Sequence, residues 1–165
     1  MPGSGNLHLT GNAGPVMKES VYAAFTYIRA RAEKLGLDPS FFEKIDIHVH
    51  LPQGAIPKDG PAQGVAVFVS LASMLTQLKV RPDIGMSGEL TLRGNVLKVS
   101  GIKEKCLAAH RAGLTEVLLP ARNAPDLDEL PEQIRRELKI HLVSRLDEVL
   151  TLVLDLPPEP AVAAE

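Results

Sequence analysis

Residues 56–78, IPKDGPAQGVAVFVSLASMLTQL, constrain the possible folds more than any other part of the sequence. The stretch opens with a turn-forming cluster in which Asp59 is placed to cap a helix and Pro61 falls in its first turn, where no amide donor is lost. Downstream, apolar side chains cover nearly every side of the predicted helix: Val65, Val67, Phe68, Val69, Leu71, Met74, Leu75 and Leu78. A helix that is apolar all round has to be covered by the rest of the protein. We therefore predict a central helix that begins at this turn.

The beginning of this helix is also a candidate site. Backbone amides of a first helical turn have no acceptor within the helix and form the positive end of its dipole. They can therefore stabilise an anion or a developing oxyanion. We expect Gly60 and the amides of Ala62 and Gln63 to shape and line such an oxyanion hole. Asp59 can cap the helix or lie across the site in a resting state.

Length and composition limit the class of protein. A chain of 165 residues is expected to form one domain with one sizeable core. Its 45% hydrophobic content is typical of a globular protein, and its net charge of −2 does not favour electrostatic binding of nucleic acid. Cys106 is the single cysteine, and the sequence shows no leader and no apolar run of the roughly 20 residues that a bilayer requires. We expect no nucleic-acid or membrane partner and a reducing compartment: the cytoplasm, or in a eukaryote the mitochondrion or peroxisome.

The sequence predicts a single compact α+β domain over residues 6–156. We interpret residues 1–5, MPGSG, as a tag or linker remnant and residues 157–165 as a disordered tail. Alternating apolar residues predict four strands and one hairpin that turns at Gly94-Asn95: 6–10, 45–51, 116–120, 140–143 and 89–99. Helical spacing predicts four helices besides the central one: 15–35, 102–112, 131–137 and 145–154.

The predicted helix over residues 102–112 sets one lysine apart from its other charged residues. On a wheel of about 100° per residue, most of those gather on one side: Lys103, Glu104, His110 and Arg111. Lys105 lies instead between Ala109 and Ala112, on the small apolar side that should pack inward. Desolvation favours the neutral amine, which is the form that a lysine general base requires. The alternative is that Lys105 extends to the rim and carries no chemistry.

Two separated motifs then coincide with the two helix starts. PKDGPAQG precedes and opens the central helix at residues 57–64, and GIKEK opens the second helix at residues 101–105. Further stretches occur in the same order along the chain: DIHVHLPQGAIPKDGP, MSGELTLRGNVL, LLPARN and LDEVLTLVL. Together they resemble the peptidase domain of the Lon family of ATP-dependent serine proteases, from about residue 6 to residue 154. The resemblance implies an α+β fold of the kind shared with ribosomal S5 domain 2-like proteins.

The resemblance also implies a catalytic pair. In that family a serine in the DGPSxG segment is the nucleophile, and the second lysine of the KEK motif is the base. Carried onto this sequence, the base is Lys105 and the nucleophile position is Ala62. A methyl group cannot attack a carbonyl, so we expect this chain to form no acyl-enzyme. Ser87 matches a family threonine that can hydrogen-bond the lysine; the alternative is a hydroxyl that satisfies a strand end.

Two explanations of Ala62 stay open. A serine replaced deliberately, for structural work or substrate trapping, accounts for the survival of Asp59 and Lys105 in intact motifs. A natural inactive relative accounts for further departures from the family's alanine, glutamate, proline and glycine: Gln63, Gln53, Lys98 and Ser100.

The resemblance implies a hydrolase of protein quality control that degrades unfolded or damaged polypeptides. It implies no cofactor in this domain, an AAA+ ATPase module outside this chain that uses ATP and Mg²⁺, and a hexameric ring in the full-length protein. The alternative is a natural non-catalytic domain of the same fold that acts as an assembly or peptide-binding module. An RNA-associated domain of the ribosomal S5-like kind would need a basic stripe, which the sequence lacks.

Other constellations give weaker predictions. His48 and His50 share a predicted strand face with Asp46, but no further ligand follows at a zinc-site spacing, so we expect no metal. Cys106 is expected to be a small buried hydrophobe. No GxxxxGK[ST] phosphate loop occurs, so we expect no ATP hydrolysis by this chain itself.

Overall fold

The computed structural model describes residues 1–52 and 60–154, which form a mixed α+β domain. Seven strands are named in chain order: β1 Leu7–Gly11, β2 Ile47–Leu51, β3 Ile84–Met86, β4 Glu89–Leu90, β5 Val96–Leu97, β6 Glu116–Pro120 and β7 Lys139–Val143. Five α-helices accompany them: α1 Pro15–Ala30, α2 Gly64–Thr76, α3 Ile102–Arg111, α4 Glu132–Glu137 and α5 Leu146–Val153. Short 3-10 turns cover Glu33–Leu35, Pro39–Glu43, Pro61–Gln63 and Ala121–Glu129. The predicted fold class is confirmed.

The described strands form three small sheets. β1 and β2 pair in parallel, with Leu7 opposite Ile47. β6 lies between β3 and β7, and both pairings are parallel. Parallel neighbours need a crossover connection, and α1 supplies it for the first sheet, α3 and α4 for the second. β4 and β5 form the predicted antiparallel hairpin.

Helix α2 is the centre of the larger core, as the sequence predicts. Its buried residues include Val65, Phe68 and Ala72, and they pack with residues of α1 and α5. Met74 is the exception, since it is 47% exposed. The helix opens with the 3-10 turn Pro61–Gln63 and becomes α-helical only at Gly64. Asp59, its predicted cap, lies outside the described residues.

A second, smaller core lies under α3. Ile102 and Cys106 pack there with Val117 and Leu119 of β6, beside residues of α4 and its flanks. Ala62, from the turn before α2, packs against the same cluster. The two cores therefore meet at the point where α2 begins.

Several element boundaries differ from the predicted ones. The helix predicted over 15–35 ends at Ala30, where a 3-10 turn and Gly36 in the left-handed region (φ 71°) follow. The strand predicted over 45–51 starts at Ile47, and the loop predicted around 123–126 is a 3-10 turn. β3 was not predicted, because three residues are too few to show an alternating pattern.

The first five residues lie against the segment 44–46 that precedes β2. The amides of Gly3 and Gly5 donate to the carbonyl oxygens of Lys44 and Ile45, at 2.9 and 3.1 Å. The Ser4 amide donates to the Asp46 carboxylate at 2.9 Å. In this structure the segment interpreted as a linker remnant is thus hydrogen-bonded to the body of the domain. The tail over 157–165 lies outside the described residues.

An ion-pair network fastens one end of the three-stranded sheet. Arg81 donates to Asp83 and to Glu116, at 2.7 Å each, and His141 also hydrogen-bonds Glu116. The hydrogen bond from Arg81, followed by that from His141, lowers the pKa of Glu116 from its ordinary 4.5 to about 2. A carboxyl with a lowered pKa in the folded state stabilises the fold above its ordinary pKa and loses that contribution as the pH falls.

We expect Glu116→Gln to lower the melting temperature at neutral pH, because the charged partner of Arg81 and His141 is removed. The difference in melting temperature between parent and variant should narrow as the pH falls from about 4.5 towards about 2, where Glu116 of the parent also loses its charge. Thermal unfolding followed by circular dichroism measures both. Exposed Glu19 provides the control, since Glu19→Gln should leave the melting temperature of the parent unchanged at each pH. A gap that stays constant on acidification would contradict the role assigned to the Glu116 charge.

Candidate active site

A cleft of about 560 Å³ brings the predicted site residues together. Gly60, Ala62, Gln63, Ser87 and Lys105 all line it. They come from the turn before α2, the segment after β3 and the first turns of α3. Asp59, the remaining predicted site residue, lies outside the described residues. The juxtaposition of residues 60–63 and Lys105 is thus a feature of the folded chain, although the chemical roles of these residues stay predictions.

Hydrogen bonds to the backbone hold the turn that contains Ala62. The Ala62 carbonyl oxygen accepts from the Gly88 amide at 2.9 Å and from the Ser87 hydroxyl at 3.1 Å. One turn later, the Val65 amide donates to the Gly88 carbonyl oxygen at 3.0 Å. The start of α2 is therefore tied to the segment after β3 at two successive points. Packing against the second core fixes the Ala62 methyl group in the same place.

Gly88 is required for this close approach. A Cβ atom at Gly88 would lie 2.8 Å from Val65 Cγ2 and 2.9 Å from Val96 Cγ1, closer than carbon atoms can pack. Because both neighbours are buried, they have little room to move aside.

Lys105 lies on the wall of the cleft beside small residues of its own helix, as its position on the helical wheel predicts. Ala108, Ala109 and Ala112 line the same cleft. Lys105 is half-buried, and its Nζ donates to the Ser100 carbonyl oxygen at 2.5 Å. The amine is therefore less desolvated than the sequence suggested, and a backbone carbonyl holds it at the N-terminus of α3.

Gly101 precedes α3 in the left-handed region (φ 71°), where a residue without a Cβ atom is favoured. A Cβ atom there would also lie 3.3 Å from Lys105 Nζ. The glycine of the GIKEK motif thus turns the chain into α3 and leaves space for the lysine amine.

Ser87 is buried, at 6% exposure, and its hydroxyl donates to Ala62 rather than to the lysine. No hydrogen bond joins Ser87 to Lys105 in the described part of the chain. In this structure the Ser87 hydroxyl thus hydrogen-bonds a nearby backbone carbonyl, as in the second of the two predicted roles. The Ser87 amide in turn donates to the Leu118 carbonyl oxygen of β6 at 3.1 Å.

Six further lining residues were not predicted from the sequence: Ala66, Gly85, Met86, Leu114, Val117 and Leu119. Two of them, Gly85 and Met86, belong to β3, which was itself missed. A Cβ atom at Gly85 would lie 3.1 Å from Leu114 Cδ1, so this glycine lets the end of the α3 segment approach the sheet. The one sequence signal was a glycine inside the short apolar run Ile84–Met86.

The other candidate groups play no part in the cleft. His48 and His50 both hydrogen-bond the Thr10 hydroxyl, at 2.7 and 2.8 Å. Residues 1–52 and 60–154 contain no group of three or more histidine, cysteine, aspartate or glutamate side chains that could hold a metal ion. Cys106 is fully buried, and burial raises the pKa of its thiol, so it behaves as the small hydrophobe that was predicted. Among the helices described, none has the length and apolar character needed to cross a membrane.

We expect Gly88→Ala to destabilise the protein by about 1–3 kcal/mol, because the new methyl group overlaps two buried valines at the start of α2. Urea unfolding followed by circular dichroism measures the change. Gly60 offers a matched control: a Cβ atom there would meet no atom of residues 1–52 and 60–154 within 4 Å, so Gly60→Ala should unfold close to the parent midpoint. Equal midpoints for the two variants would contradict the tight contact at Gly88.

Comparison with known proteins gives matches along nearly the whole chain. The model of the Lon protease (S16) C-terminal proteolytic domain family matches residues 1–155. Lon protease of Bacillus thuringiensis (strain Al Hakam) is 57% identical over 149 residues, which are 90% of this chain and 19% of that protein. For Lon protease of Escherichia coli (strain K12) the identity is 55% over 158 residues, 96% of this chain and 20% of that protein. Lon protease of Aquifex aeolicus (strain VF5) is 51% identical over 161 residues, 97% of this chain and 20% of that protein. The chain thus spans about a fifth of the length of these relatives.

Proposed function

Because this chain belongs to the family of the Lon protease (S16) C-terminal proteolytic domain, we propose that it is the peptidase domain of an ATP-dependent serine endopeptidase that degrades unfolded or damaged proteins. The resemblance drawn from the motifs is confirmed by these matches. One observation carries the proposal: Ala62 and Lys105, from two distant segments, line one cleft at the start of a buried helix. A cleft that holds both members of the proposed pair is what a Ser-Lys mechanism requires.

The proposed reaction needs an oxygen that Ala62 lacks. With serine at this position, neutral Lys105 would accept the hydroxyl proton while the oxygen bonds to the substrate carbonyl carbon. The lysine would then return the proton to the leaving amine as the peptide C–N bond breaks, and water would hydrolyse the resulting ester. The neutral amine can accept the hydroxyl proton with its lone pair while one of its N–H groups still donates to the Ser100 carbonyl oxygen.

Backbone amides before α2 are the proposed oxyanion donors. Ala62 and Gln63 lie on the cleft wall, in the turn where the positive end of the helix dipole falls. The Gly64 amide is already used, because it donates to the Pro61 carbonyl oxygen within the 3-10 turn. We therefore assign the oxyanion role to the amides of Ala62 and Gln63, with Gly60 leaving space beside them.

We propose that the other functional parts of the full-length protease lie outside this chain. The relatives are about five times as long as the matched region, and we propose an AAA+ module there that unfolds substrate with ATP and Mg²⁺. A hexameric ring would then enclose the clefts, and unfolded polypeptide would be the partner that enters them. The peptidase domain itself would need no cofactor and would act in the cytoplasm.

A non-catalytic peptide-binding or assembly module is the alternative function. Two observations favour it: Ala62 carries no nucleophile, and in this structure both Ser87 and Lys105 donate to backbone carbonyls. The same arrangement also fits a peptidase whose serine was replaced deliberately, because serine and alanine differ only by one oxygen.

A hydroxyl group restored at position 62 distinguishes the peptidase from the non-catalytic module. Ala62→Ser should give cleavage of casein or of a fluorogenic peptide that exceeds the parent by several orders of magnitude, because the nucleophile is the missing part of the pair. Adding Lys105→Ala should abolish that activity, while circular dichroism remains native. A well-folded Ala62→Ser protein that cleaves neither substrate would favour the non-catalytic module.

A further inference from the structure

Asn123 is the most deeply buried polar side chain of the described residues, with no exposed surface. It lies in the 3-10 turn Ala121–Glu129, between β6 and α4, and does not line the cleft. A buried amide group is costly unless its donors and acceptor are all used. The partners of this side chain therefore indicate what it holds.

The Asn123 side chain forms two hydrogen bonds to the backbone of one residue, Val99. Its Oδ1 accepts from the Val99 amide at 3.1 Å, and its Nδ2 donates to the Val99 carbonyl oxygen at 2.7 Å. The side chain thus replaces the strand partner that Val99 lacks just after β5. Two hydrogen bonds on a single buried residue fix the backbone there in position and direction.

An acidic neighbour sets the orientation of the Asn123 amide. Asp126 accepts a hydrogen bond from Asn123 Nδ2, and its other oxygen lies 3.2 Å from Lys98 Nζ. Only the nitrogen of Asn123 can donate to a carboxylate, so its oxygen must face the Val99 amide. These bonds lower the pKa of Asp126, the one from Asn123 most and the one from Lys98 next.

The residue after Val99 holds the proposed catalytic amine. The Ser100 carbonyl oxygen accepts from Lys105 Nζ at 2.5 Å, and Gly101 then turns the chain into α3. A connected path of hydrogen bonds and one peptide unit therefore runs from Asn123 through Val99 and Ser100 to the amine.

We propose that Asn123 is a positioning residue for Lys105: it holds Val99 so that the Ser100 carbonyl places the lysine amine against position 62. This role rests on the proposed peptidase function. Asn123 touches neither substrate nor reacting atoms, and it acts through the backbone alone. Catalysis is sensitive to such placement, because a displacement of about 1 Å can cost on the order of 100-fold in rate.

The test uses Ala62→Ser as the active parent and adds Asn123→Asp. This change keeps the acceptor for the Val99 amide but removes the donor to the Val99 carbonyl oxygen. We expect kcat for a fluorogenic peptide to fall on the order of 10–100-fold, because the lysine amine is misplaced. KM should change by no more than about twofold, because the other walls of the cleft stay in place.

Asn123→Asp can fail to fold, since it sets a buried carboxyl group beside the half-buried carboxyl group of Asp126. A second variant covers that outcome. Adding Asp126→Asn supplies a donor to the new carboxyl, so the combined variant should regain part of the lost melting temperature but keep the low kcat, because the Val99 carbonyl oxygen still lacks its donor. Asp126→Asn alone is the reference for the melting temperature of the combined variant, because it carries the same change at position 126.

Asn95→Ala is the matched control for a merely structural role. The Asn95 oxygen accepts from Arg145 at 2.7 Å, away from the cleft, so this variant should lower the melting temperature without lowering kcat. If Asn123→Asp with Asp126→Asn keeps full kcat, or loses no more than Asn95→Ala does, the positioning role is wrong while the peptidase function stands. If Ala62→Ser itself shows no cleavage, the proposed function fails, and this role fails with it.

Discussion

The burial of α2 is the constraint on which the rest of the structure depends. Its side chains form the larger core with α1 and α5, and its first turn is fastened to the segment after β3 by backbone hydrogen bonds. A helix held this firmly presents its N-terminal amides in a fixed direction. The cleft lies at that end because α3 packs its small residues beside it. Stability and the candidate chemistry therefore share one junction.

The sequence revealed this architecture wherever periodicity was strong. The apolar character of residues 65–78 predicted a central helix, and the hairpin was evident from Gly94-Asn95 between alternating residues. The three residues of β3 and the 3-10 turn that starts α2 were beyond such patterns, because three residues are too few to show a repeat. Their conformation is set by tertiary packing, which a local pattern does not contain.

The candidate site divides in the same way. A helical wheel separated Lys105 from its charged neighbours, and motif resemblance paired it with position 62; the structure places both on one cleft. The particular acceptors were not predicted: Ala62 is 25 residues from Ser87, and no sequence pattern shows that the Ser100 carbonyl oxygen turns towards Lys105. Asn123 ends the LLPARN stretch, but the sequence gave it no role, because such a role shows only through burial and hydrogen-bond partners.

The central claim is that the Lys105 amine can reach a side chain at position 62. The most direct measurement is the rate at which iodoacetamide alkylates Ala62→Cys at neutral pH, with and without Lys105→Met. A nearby ammonium group lowers the pKa of a thiol, so the introduced thiol should react several-fold faster when Lys105 is present. Buried Cys106 should stay unmodified in both proteins. An alkylation rate that does not depend on Lys105 would contradict the account.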